Sequence, residues 1–510
     1  MTLKEENSNQ IKIGAILSYA IIVVNMLVGI LYTPILTAKL GQSEYGLYSL
    51  VTSVISYLTI LDFGFGNAII IYTTRYRVSN QKEKEEKLHG MFLIIYTVIG
   101  VIAGIIGAIL WLNVDKLFGN SMNYEELQKA KVLMGILTLN LTITFPLSIF
   151  SSIITAYEKF IFSKVLNLIR IILNPIVMLV LLNFGYKSIA LVVLNTTFNI
   201  GTLVINYIYC KKNLNIKLKF GKIDTKLLRE IMAYSVWIFL NSIMDKINWN
   251  VDQFVLGTIC GTTVVAIYSV ASQLNQMYLN FSTAIAGVML PKVAKMEEQN
   301  ASDEEFSHVF IQTGRIQYIV MALIMSGFLL YGQEFINIVW VGPEYSQSYM
   351  IACILMLPLT IPLIQNVGLN IIQAKNQYKF RVIVLFIFSI FNLIISIFLS
   401  KLYGGIGAAI GTALSIICGQ IIFMNIFYYK KTHIDIPKFW TNILKMSVPV
   451  VIAFVMAIAL KRLIPISNTL QLIIQILIYV VIYVIMIWKF VTNQYEKDLF
   501  AKPIKKILGK

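Results

Sequence analysis

The chain has 510 residues, of which 57% are hydrophobic and 13% are charged, and its mean hydropathy is +0.75. Soluble globular chains carry about 25% charged residues, so the composition excludes a soluble fold and indicates a multi-pass membrane protein. The net charge of +17 does not indicate nucleic acid binding, because the lysines and arginines lie in short segments between apolar runs. Such segments follow the positive-inside pattern of membrane proteins.

Apolar runs of membrane-spanning length follow one another along the whole chain. A spanning helix needs about 20 mainly apolar residues, and this rule predicts about fourteen helices. They are predicted at 11–36, 46–72, 90–112, 131–155, 164–183, 188–209, 231–258, 265–289, 309–331, 348–372, 382–400, 406–429, 440–460 and 470–490. The first run is followed by no signal-peptide cleavage site, so we expect an uncleaved spanning helix.

Basic residues set the predicted orientation of these helices. With a cytoplasmic N-terminus, about 30 of the 42 lysines and arginines lie on the cytoplasmic side and about 8 lie outside. This asymmetry predicts that both termini are cytoplasmic, which requires an even number of helices. No connection much exceeds about 20 residues, so the chain has no room for a soluble domain of about 50 residues or more.

The sequence also repeats itself. EYGLYSL at 44–50 recurs as VVAIYSV at 264–270, IITAYEKF at 153–160 recurs as IIQAKNQYKF at 371–380, and three shorter matches keep the same order. These matches predict two six-helix repeats, 1–212 and 213–431, followed by two extra helices and a basic cytoplasmic tail in 432–510. Because six is even, both repeats enter the membrane from the same side, and such parallel repeats enclose a cavity suited to alternating access.

One predicted helix carries the polar stretch NSIMDKINWNVDQF at 241–254. Four of its polar residues are spaced 4, 3 and 4 apart and so lie on one helical face. They are Asn241, Asp245, Asn248 and Asp252, and Lys246 widens this face. Charge near the bilayer centre costs a few kcal/mol or more and usually faces a bundle interior or a watery cavity. We expect the face to line the cavity between the repeats; the alternative is a structural ion pair that locks the helix to a neighbour.

Charged residues are few in the other predicted helices. Arg170 lies about two turns into the fifth predicted helix, and Arg315 lies about two turns into the ninth. Each could line the cavity or snorkel to the lipid headgroups, and the sequence leaves these two alternatives equally open. Asp62 lies in the second helix. Lys445 lies only about one turn inside the thirteenth helix, so we expect it to snorkel.

The motifs of common catalytic and cofactor sites are absent from the sequence. There is no GxxxxGK[ST] loop, no HExxH, no GxSxG and no paired metal-ligand cluster. The four cysteines form no CxxC pair. The sequence therefore predicts no enzymatic activity, no cofactor and no bound metal, and it gives no sign of an ATP-driven pump.

Three stretches carry a resemblance to a known family: EYGLYSLVTSVISYLTILDFGFGNAI at 44–69, NVDQFVLG at 250–257 with the VVAIYSVASQ that follows, and KLYGGIGAAIGTALS at 401–415. Over nearly its whole length the chain resembles the polysaccharide-transport branch of the multidrug/oligosaccharidyl-lipid/polysaccharide exporter superfamily, the Wzx-type O-antigen and capsule flippases. This resemblance implies an all-α, MATE-like fold of two six-helix repeats plus two C-terminal helices.

The resemblance also implies a function. Such a protein is a secondary transporter of the bacterial cytoplasmic membrane, which flips an undecaprenyl-diphosphate-linked oligosaccharide from the inner to the outer leaflet for surface polysaccharide assembly. Lys246, Arg170 and Arg315 would attract the diphosphate or acidic sugars, with amide residues beside them in the cavity. The implied partners are the lipid-linked oligosaccharide, a coupling proton or sodium ion, and a polysaccharide polymerase.

The residues that the resemblance assigns to the site therefore form two groups. The substrate group is Lys246, Arg170, Arg315, Asn241 and Asn248. The ion-coupling group is Asp245, Asp252 and Asp62.

Two other functions compete with this one. A multidrug/cation antiporter of the same superfamily needs an acidic, aromatic pocket, for which Asp245, Asp252 and Trp249 could serve, but Lys246 beside them counts against it. A membrane-bound polymerase of lipid-linked sugars needs catalytic groups in sizeable outside loops, and the predicted outside loops are short.

Overall fold

The computed structural model of the protein describes residues 3–221 and 224–499, and within these ranges it contains 16 α-helices and no β-strand. The helices are α1 (Leu3–Leu58), α2 (Phe65–Val78), α3 (Lys82–Leu112), α4 (Val114–Phe118), α5 (Tyr124–Ala156), α6 (Phe160–Asn183), α7 (Ser188–Lys212), α8 (Thr225–Ile259), α9 (Thr262–Glu298), α10 (Asp303–Glu334), α11 (Gln347–Ile364), α12 (Val367–Ala374), α13 (Tyr378–Ser415), α14 (Met424–Lys430), α15 (Ile436–Leu463) and α16 (Thr469–Phe490). Short 3-10 helices occupy Thr59–Asp62 and Pro343–Tyr345, and π-helical segments occupy Phe335–Trp340 and Ile416–Phe423.

Ten helical stretches of the described chain are long and apolar enough to cross a membrane, or eleven when the bent α8 counts as one span. Two of them, Ile16–Val78 and Tyr378–Lys430, have 63 and 53 residues, whereas one crossing needs about 20. When each of these two stretches is divided into two, and the bent α8 and the 37-residue α9 are also counted, the described residues form fourteen helical segments of spanning length. The predicted all-α multi-pass architecture is confirmed.

Glycines with positive φ divide the two longest helices. Gly41 inside α1 has φ 76° and ψ 169°, and Gly404 inside α13 has φ 57° and ψ −133°. A Cβ at either position would meet no other atom within 4 Å, so the backbone conformation, and not the available space, requires glycine there. Each long apolar stretch can therefore turn back across the membrane without a loop.

Contacts group the described residues into two compact units. One unit contains the chain up to Ser269 together with Leu393–Ala408, and the other contains Val270–Asn392 and the chain from Ala409 onward. In the first unit α5 packs against α1, α2, α3 and α7; in the second α10 packs against α11, α15 and α16. This grouping does not test the predicted repeats at 1–212 and 213–431, which stay a prediction.

The EYGLYSL segment of α1 makes a close helix contact in the first unit. A Cβ on Gly46 would lie 1.9 Å from the carbonyl oxygen of Thr262, the first residue of α9. Glu126 supports this contact, because its Oε1 accepts hydrogen bonds from Ser43 Oγ at 2.5 Å and from Thr262 Oγ1 at 2.6 Å. Only glycine therefore allows the second half of α1 to approach α9 this closely.

Helix α16 has one buried face and other faces that are apolar and exposed. The buried face carries Leu472, Tyr479 and Tyr483, which pack inside the second unit in a cluster with Ala453 of α15. Side chains on the other faces of α16, including Leu477, Val481 and Val484, are exposed. An apolar exposed face is what a helix in contact with lipid requires, because lipid tails are as apolar as leucine.

Candidate functional site

Helices α1, α6 and α7 of the first unit line an open pocket of about 470 Å³, called here the Arg170 pocket. One guanidinium, four amides and two phenols supply its polar lining. They belong to Arg170, Asn25, Asn167, Asn174, Asn195, Tyr32 and Tyr48. The α6 residues 167, 170 and 174 are spaced 3 and 4 apart and so share one helical face. The opposite face of α6 is apolar and exposed, at positions such as Ile169, Ile172 and Ile176.

Arg170 is the cationic group of this pocket and is half-buried. Its Nη1 lies 3.5 Å from Asn199 Oδ1 on α7, a distance at the limit for a hydrogen bond. Asn199 is held in turn by α5, since its Nδ2 donates to Asn140 Oδ1 at 2.9 Å and to Thr144 Oγ1 at 2.7 Å. Among the residues that the structure describes, no carboxylate forms an ion pair with Arg170. Its other N–H groups therefore remain available to a ligand.

A second chain of hydrogen bonds crosses the pocket wall. Asn174 Nδ2 on α6 donates to Asn195 Oδ1 on α7 at 2.5 Å, and Asn195 Nδ2 donates to the Tyr48 hydroxyl on α1 at 3.2 Å. Tyr48 belongs to the EYGLYSL segment. These bonds connect the three helices around the pocket and hold the side chains of Asn174, Asn195 and Tyr48 in place before a ligand arrives.

The polar stretch of α8 also lies in the first unit, but its predicted face is divided. Asp245 is exposed and accepts a hydrogen bond from Asn241 Nδ2 at 2.9 Å. Lys246 and Asn248 are half-buried. No carboxylate lies within ion-pair distance of the Lys246 amine in the described part of the chain. The ammonium group of Lys246 is therefore not locked by a salt bridge.

Asp252, two turns further along the same helix, is buried and only 2% exposed. Its Oδ2 accepts a hydrogen bond from the Tyr268 hydroxyl of α9, and the next residue, Gln253, donates from Nε2 to Ser269 Oγ at 3.2 Å. On the α1 side, Ser53 Oγ donates to the carbonyl oxygen of Asn250 at 2.9 Å. The first turns of α9 and the second half of α1 thus cover Asp252, whereas Asp245 stays uncovered in this unit.

Asp62 lies at a break in the second predicted spanning helix. The 3-10 helix Thr59–Asp62 ends there, and Phe63 and Gly64 follow with φ of 52° and 72° before α2 begins. Asp62 Oδ1 accepts a hydrogen bond from the Tyr96 hydroxyl of α3 at 2.7 Å. Asp62 therefore connects the break before α2 to α3.

Arg315 lies in the second unit, in a buried ion pair. Its Nε and Nη2 donate to the two carboxylate oxygens of Glu496 at 2.6 and 3.0 Å, and the side chains of Arg315 and Glu496 are 12% and 0% exposed. The same guanidinium donates to Asn442 Oδ1 and to the Val491 carbonyl oxygen at 3.1 and 2.9 Å. These contacts fasten the chain after α16 to α10. A role for Arg315 in binding cargo stays a prediction.

A further polar pocket of about 850 Å³ lies at the end of α2, also in the first unit. The guanidinium carbon of Arg77 lies 3.9 Å from the centre of the Tyr157 ring, and Arg77 Nη1 donates to the Ala156 carbonyl oxygen at 2.7 Å. Burial, together with the hydrogen bond that Tyr157 donates to Glu85 at 2.7 Å, raises the pKa of Tyr157. The phenol therefore stays protonated, and these side chains form a fixed cluster.

The structure thus brings together residues that the sequence analysis did not select. Asn195 and Asn199 of α7, together with Asn167 of α6, belong to the Arg170 pocket or to the hydrogen bonds behind it. The signal was in the sequence, because polar residues recur there at helical spacing of 3 or 4 inside apolar helices. Of the predicted site residues, the pocket contains Arg170, while Lys246 lies on α8 and Arg315 lies in the other unit.

Comparison with solved structures shows the same fold. The inward closed conformation of the lipid II flippase MurJ aligns with a TM-score of 0.71 at 18% identity, covering 96% of this chain and 99% of that chain. An inward-facing multidrug resistance MATE family transporter of the MOP superfamily aligns with a TM-score of 0.60 at 14% identity, covering 81% and 99%. At these identities the likeness concerns the fold alone, and the predicted MATE-like fold is confirmed.

Comparison with curated proteins finds distant relatives. A putative O-antigen transporter of Shigella flexneri is 20% identical over 396 residues, which are 76% of this chain and 90% of that protein. The probable flippase AglR of Haloferax volcanii is 22% identical over 414 residues, 78% of this chain and 79% of that protein. The capsular polysaccharide biosynthesis protein CapF of Staphylococcus aureus is 25% identical over 264 residues, which are 51% of this chain and 64% of that protein.

A family model described as polysaccharide biosynthesis protein matches residues 12–297, more than half of the chain. The chain therefore belongs to the polysaccharide biosynthesis protein family.

Proposed function

We propose that this protein is a flippase that moves an undecaprenyl-diphosphate-linked oligosaccharide from the inner to the outer leaflet of a bacterial cytoplasmic membrane, for surface polysaccharide assembly. The observation that carries the proposal is the Arg170 pocket, an amide-rich and cationic pocket between apolar helices in a member of this family. A glycan and a diphosphate are too polar for the hydrocarbon core and need such a polar environment, while a prenyl tail can stay in lipid.

The names of the relatives support transport over catalysis. The curated relatives include a putative O-antigen transporter and a probable flippase, and the solved structures with this fold include a flippase and a transporter. We propose alternating access, in a protein whose two termini are cytoplasmic, as the way in which the cargo is moved. Its outer-leaflet product would then be the substrate of a polysaccharide polymerase.

We propose Asp252 as the group that couples transport to a proton or sodium gradient. It is buried among α1, α8 and α9 and is hydrogen-bonded to Tyr268, so a change in its charge would disturb the packing of three helices. Asp245 is exposed, and Asp62 accepts a hydrogen bond from Tyr96 at the break before α2, so we assign coupling to Asp252 before either of them. Lys246, with Asn241 and Asn248 on the same helix, is proposed as a second contact for the anionic cargo.

The sidedness of the lipid-linked glycan tests the proposed function. A deletion strain of the native host is compared with the same strain carrying the wild-type gene or the variant Arg170→Gln, at equal protein levels. We expect the deletion strain to accumulate the glycan on the cytoplasmic face, the wild-type gene to relieve this accumulation, and Arg170→Gln to relieve it poorly. Lys445→Gln, at an exposed position of α15, is the control and should act as wild type.

Two other outcomes would support the competing functions. Normal sidedness in the deletion strain together with a new sensitivity to cationic drugs would favour a multidrug/cation antiporter, for which buried Asp252 beside Tyr268 provides an acidic and aromatic site. Single repeat units accumulating on the outer face would favour a polymerase.

A further inference from the structure

We propose that the Arg170 pocket selects a sugar that carries a carboxylate, such as a uronic acid, and does not hold the diphosphate of the lipid carrier. The proposal rests on the proposed function, because it names the part of the cargo that this pocket recognises. It follows from the charge of the pocket, from the position of Arg170 in its helix and from the amides around it.

The charge of the pocket matches one carboxylate. Arg170 is the one charged residue among those that line it. A carboxylate carries a single negative charge and accepts two parallel hydrogen bonds from a planar guanidinium. A diphosphate carries a negative charge on each of its two phosphoryl groups, so a single guanidinium would leave one of them uncompensated inside apolar helices.

The position of Arg170 also disfavours a phosphate. Phosphate sites are commonly built at helix N-termini, where free backbone N–H groups point at the ligand. Arg170 lies in the middle of α6, which runs from Phe160 to Asn183, so the surrounding backbone N–H groups are used within the helix. The pocket therefore offers an anion only the side-chain donors around it.

The remaining polar groups suit sugar hydroxyls. The side-chain amides of Asn25 and Asn167 and the hydroxyl of Tyr32 line the pocket and make no hydrogen bond to any residue that the structure describes. An amide can donate and accept, as a sugar hydroxyl does. The volume of about 470 Å³ lies within the range of about 300–1,000 Å³ that is typical of small-molecule pockets. A sugar ring can therefore bind these amides while its carboxylate reaches Arg170.

A matched pair of ligands tests the proposal. Cellobiose and cellobiouronic acid differ at one carbon, where a carboxylate replaces a hydroxymethyl group. Their binding to the purified full-length protein in lipid nanodiscs can be followed by saturation-transfer NMR. Inorganic pyrophosphate, followed by phosphorus NMR line broadening, represents the diphosphate. We expect the wild-type protein to bind cellobiouronic acid at least about tenfold more tightly than cellobiose, because a charge-assisted bidentate contact is added.

Variants test whether Arg170 causes the difference in affinity between the two disaccharides. Arg170→Gln should reduce the preference to less than about twofold, and Arg170→Lys should keep only part of it, because lysine has the charge without the planar fork. Asn167→Ala should weaken both disaccharides alike and leave their ratio unchanged. Lys445→Gln should change nothing. If Arg170→Gln does not fold, the Arg170→Lys and Asn167→Ala variants still decide between the outcomes.

Three results would overturn the proposal: equal binding of the two disaccharides, binding of neither, or pyrophosphate binding that depends on Arg170. The sidedness experiment is independent of them. A protein that restores glycan sidedness yet shows no carboxylate preference contradicts the inference about the pocket alone, whereas a protein without effect on sidedness contradicts the proposed function.

Discussion

Arg170 and Arg315 are the same residue type at similar depths in their helices, but their surroundings differ. Arg315 donates hydrogen bonds to Glu496, Asn442 and the Val491 carbonyl oxygen. Arg170 has one long contact to an amide and faces a pocket. A guanidinium whose donors are already occupied has little left for a ligand, so the two arginines are suited to different tasks.

The buried ion pair should be required for the stability of the second unit. Removing one partner of a buried pair leaves an uncompensated charge and typically costs about 3–5 kcal/mol. We therefore expect Glu496→Gln to lower the thermal unfolding midpoint clearly. The double variant Arg315→Met/Glu496→Met should recover most of the loss, since no charge is then left buried. Both are measured on purified protein.

Glu83→Gln is the matched control, because the exposed Glu83–Lys87 pair joins side chains that are 67% and 61% exposed and such surface pairs contribute little to stability. If Glu496→Gln keeps full stability but lowers transport, the fastening role of Arg315 is wrong and its role in binding cargo gains support.

Asp252 should decide whether transport follows an ion gradient. Asp252→Asn keeps the shape and the contact to the Tyr268 hydroxyl but removes the charge, so we expect slower flipping that no longer responds to collapse of the gradient. The measurement is glycan flipping in proteoliposomes with and without imposed proton or sodium gradients. Asp245→Asn, at the exposed position of the same helix, should retain the response; the reverse pattern would move coupling to Asp245.

At the scale of helices, glycine positions set the turns and contacts of the fold. Gly41 and Gly404 allow reversals of direction by their positive φ, whereas Gly46 allows a close approach in ordinary helical geometry. A third feature is the break after Asp62, where the carboxylate accepts a hydrogen bond from the Tyr96 hydroxyl of α3. Each of these local features determines the direction or the packing of a whole helix from a single position.

Gly46→Ala tests the closest of these helix contacts. The added Cβ would lie 1.9 Å from a backbone oxygen of Thr262, which cannot rotate away as a side chain can, so α1 and α9 would have to separate. Overpacking of this kind typically costs about 1–3 kcal/mol, and we expect a lower thermal unfolding midpoint.

Gly201 on α7 provides the comparison for this variant, because a Cβ there would meet nothing within 4 Å. Gly201→Ala should leave the midpoint unchanged or raise it, because alanine is up to about 1 kcal/mol more favourable than glycine inside a helix. Equal effects of the two substitutions would show that the contact at Gly46 is not tight.

For the whole molecule, the all-helical multi-pass fold was predictable from the sequence, but the groups that each charged side chain contacts were not. The succession of apolar helices follows from residue type alone, because the membrane fixes the length of a spanning helix. Asp245 and Asp252 share a helical face in the sequence, yet Asp252 is buried and bound by Tyr268 of α9, whereas Asp245 is exposed. The partner of Arg315 lies 181 residues further along the chain. Such partners depend on how distant helices pack, and no local pattern reports them.

Transport by the complete protein should depend on Lys246 more than on Lys445. Lys246 is half-buried within α8 without an ion pair in the described chain, whereas Lys445 is exposed on α15. We expect Lys246→Ala to lower glycan flipping several-fold at equal expression and Lys445→Ala to leave it nearly unchanged. Equal losses, or no loss at Lys246, would remove Lys246 from the cargo path.

The Arg170 contacts also bear on how the protein enters the membrane during synthesis. An arginine near the centre of a spanning helix costs about 2.5–3.5 kcal/mol at insertion, and the side chain that contacts Arg170, Asn199, lies on α7 and is therefore made after α6. When α6 leaves the ribosome, its guanidinium has no acceptor from the helix that follows. Helices α6 and α7 are therefore suited to enter the bilayer as a pair, and a nascent chain that stops between them would carry an arginine facing lipid.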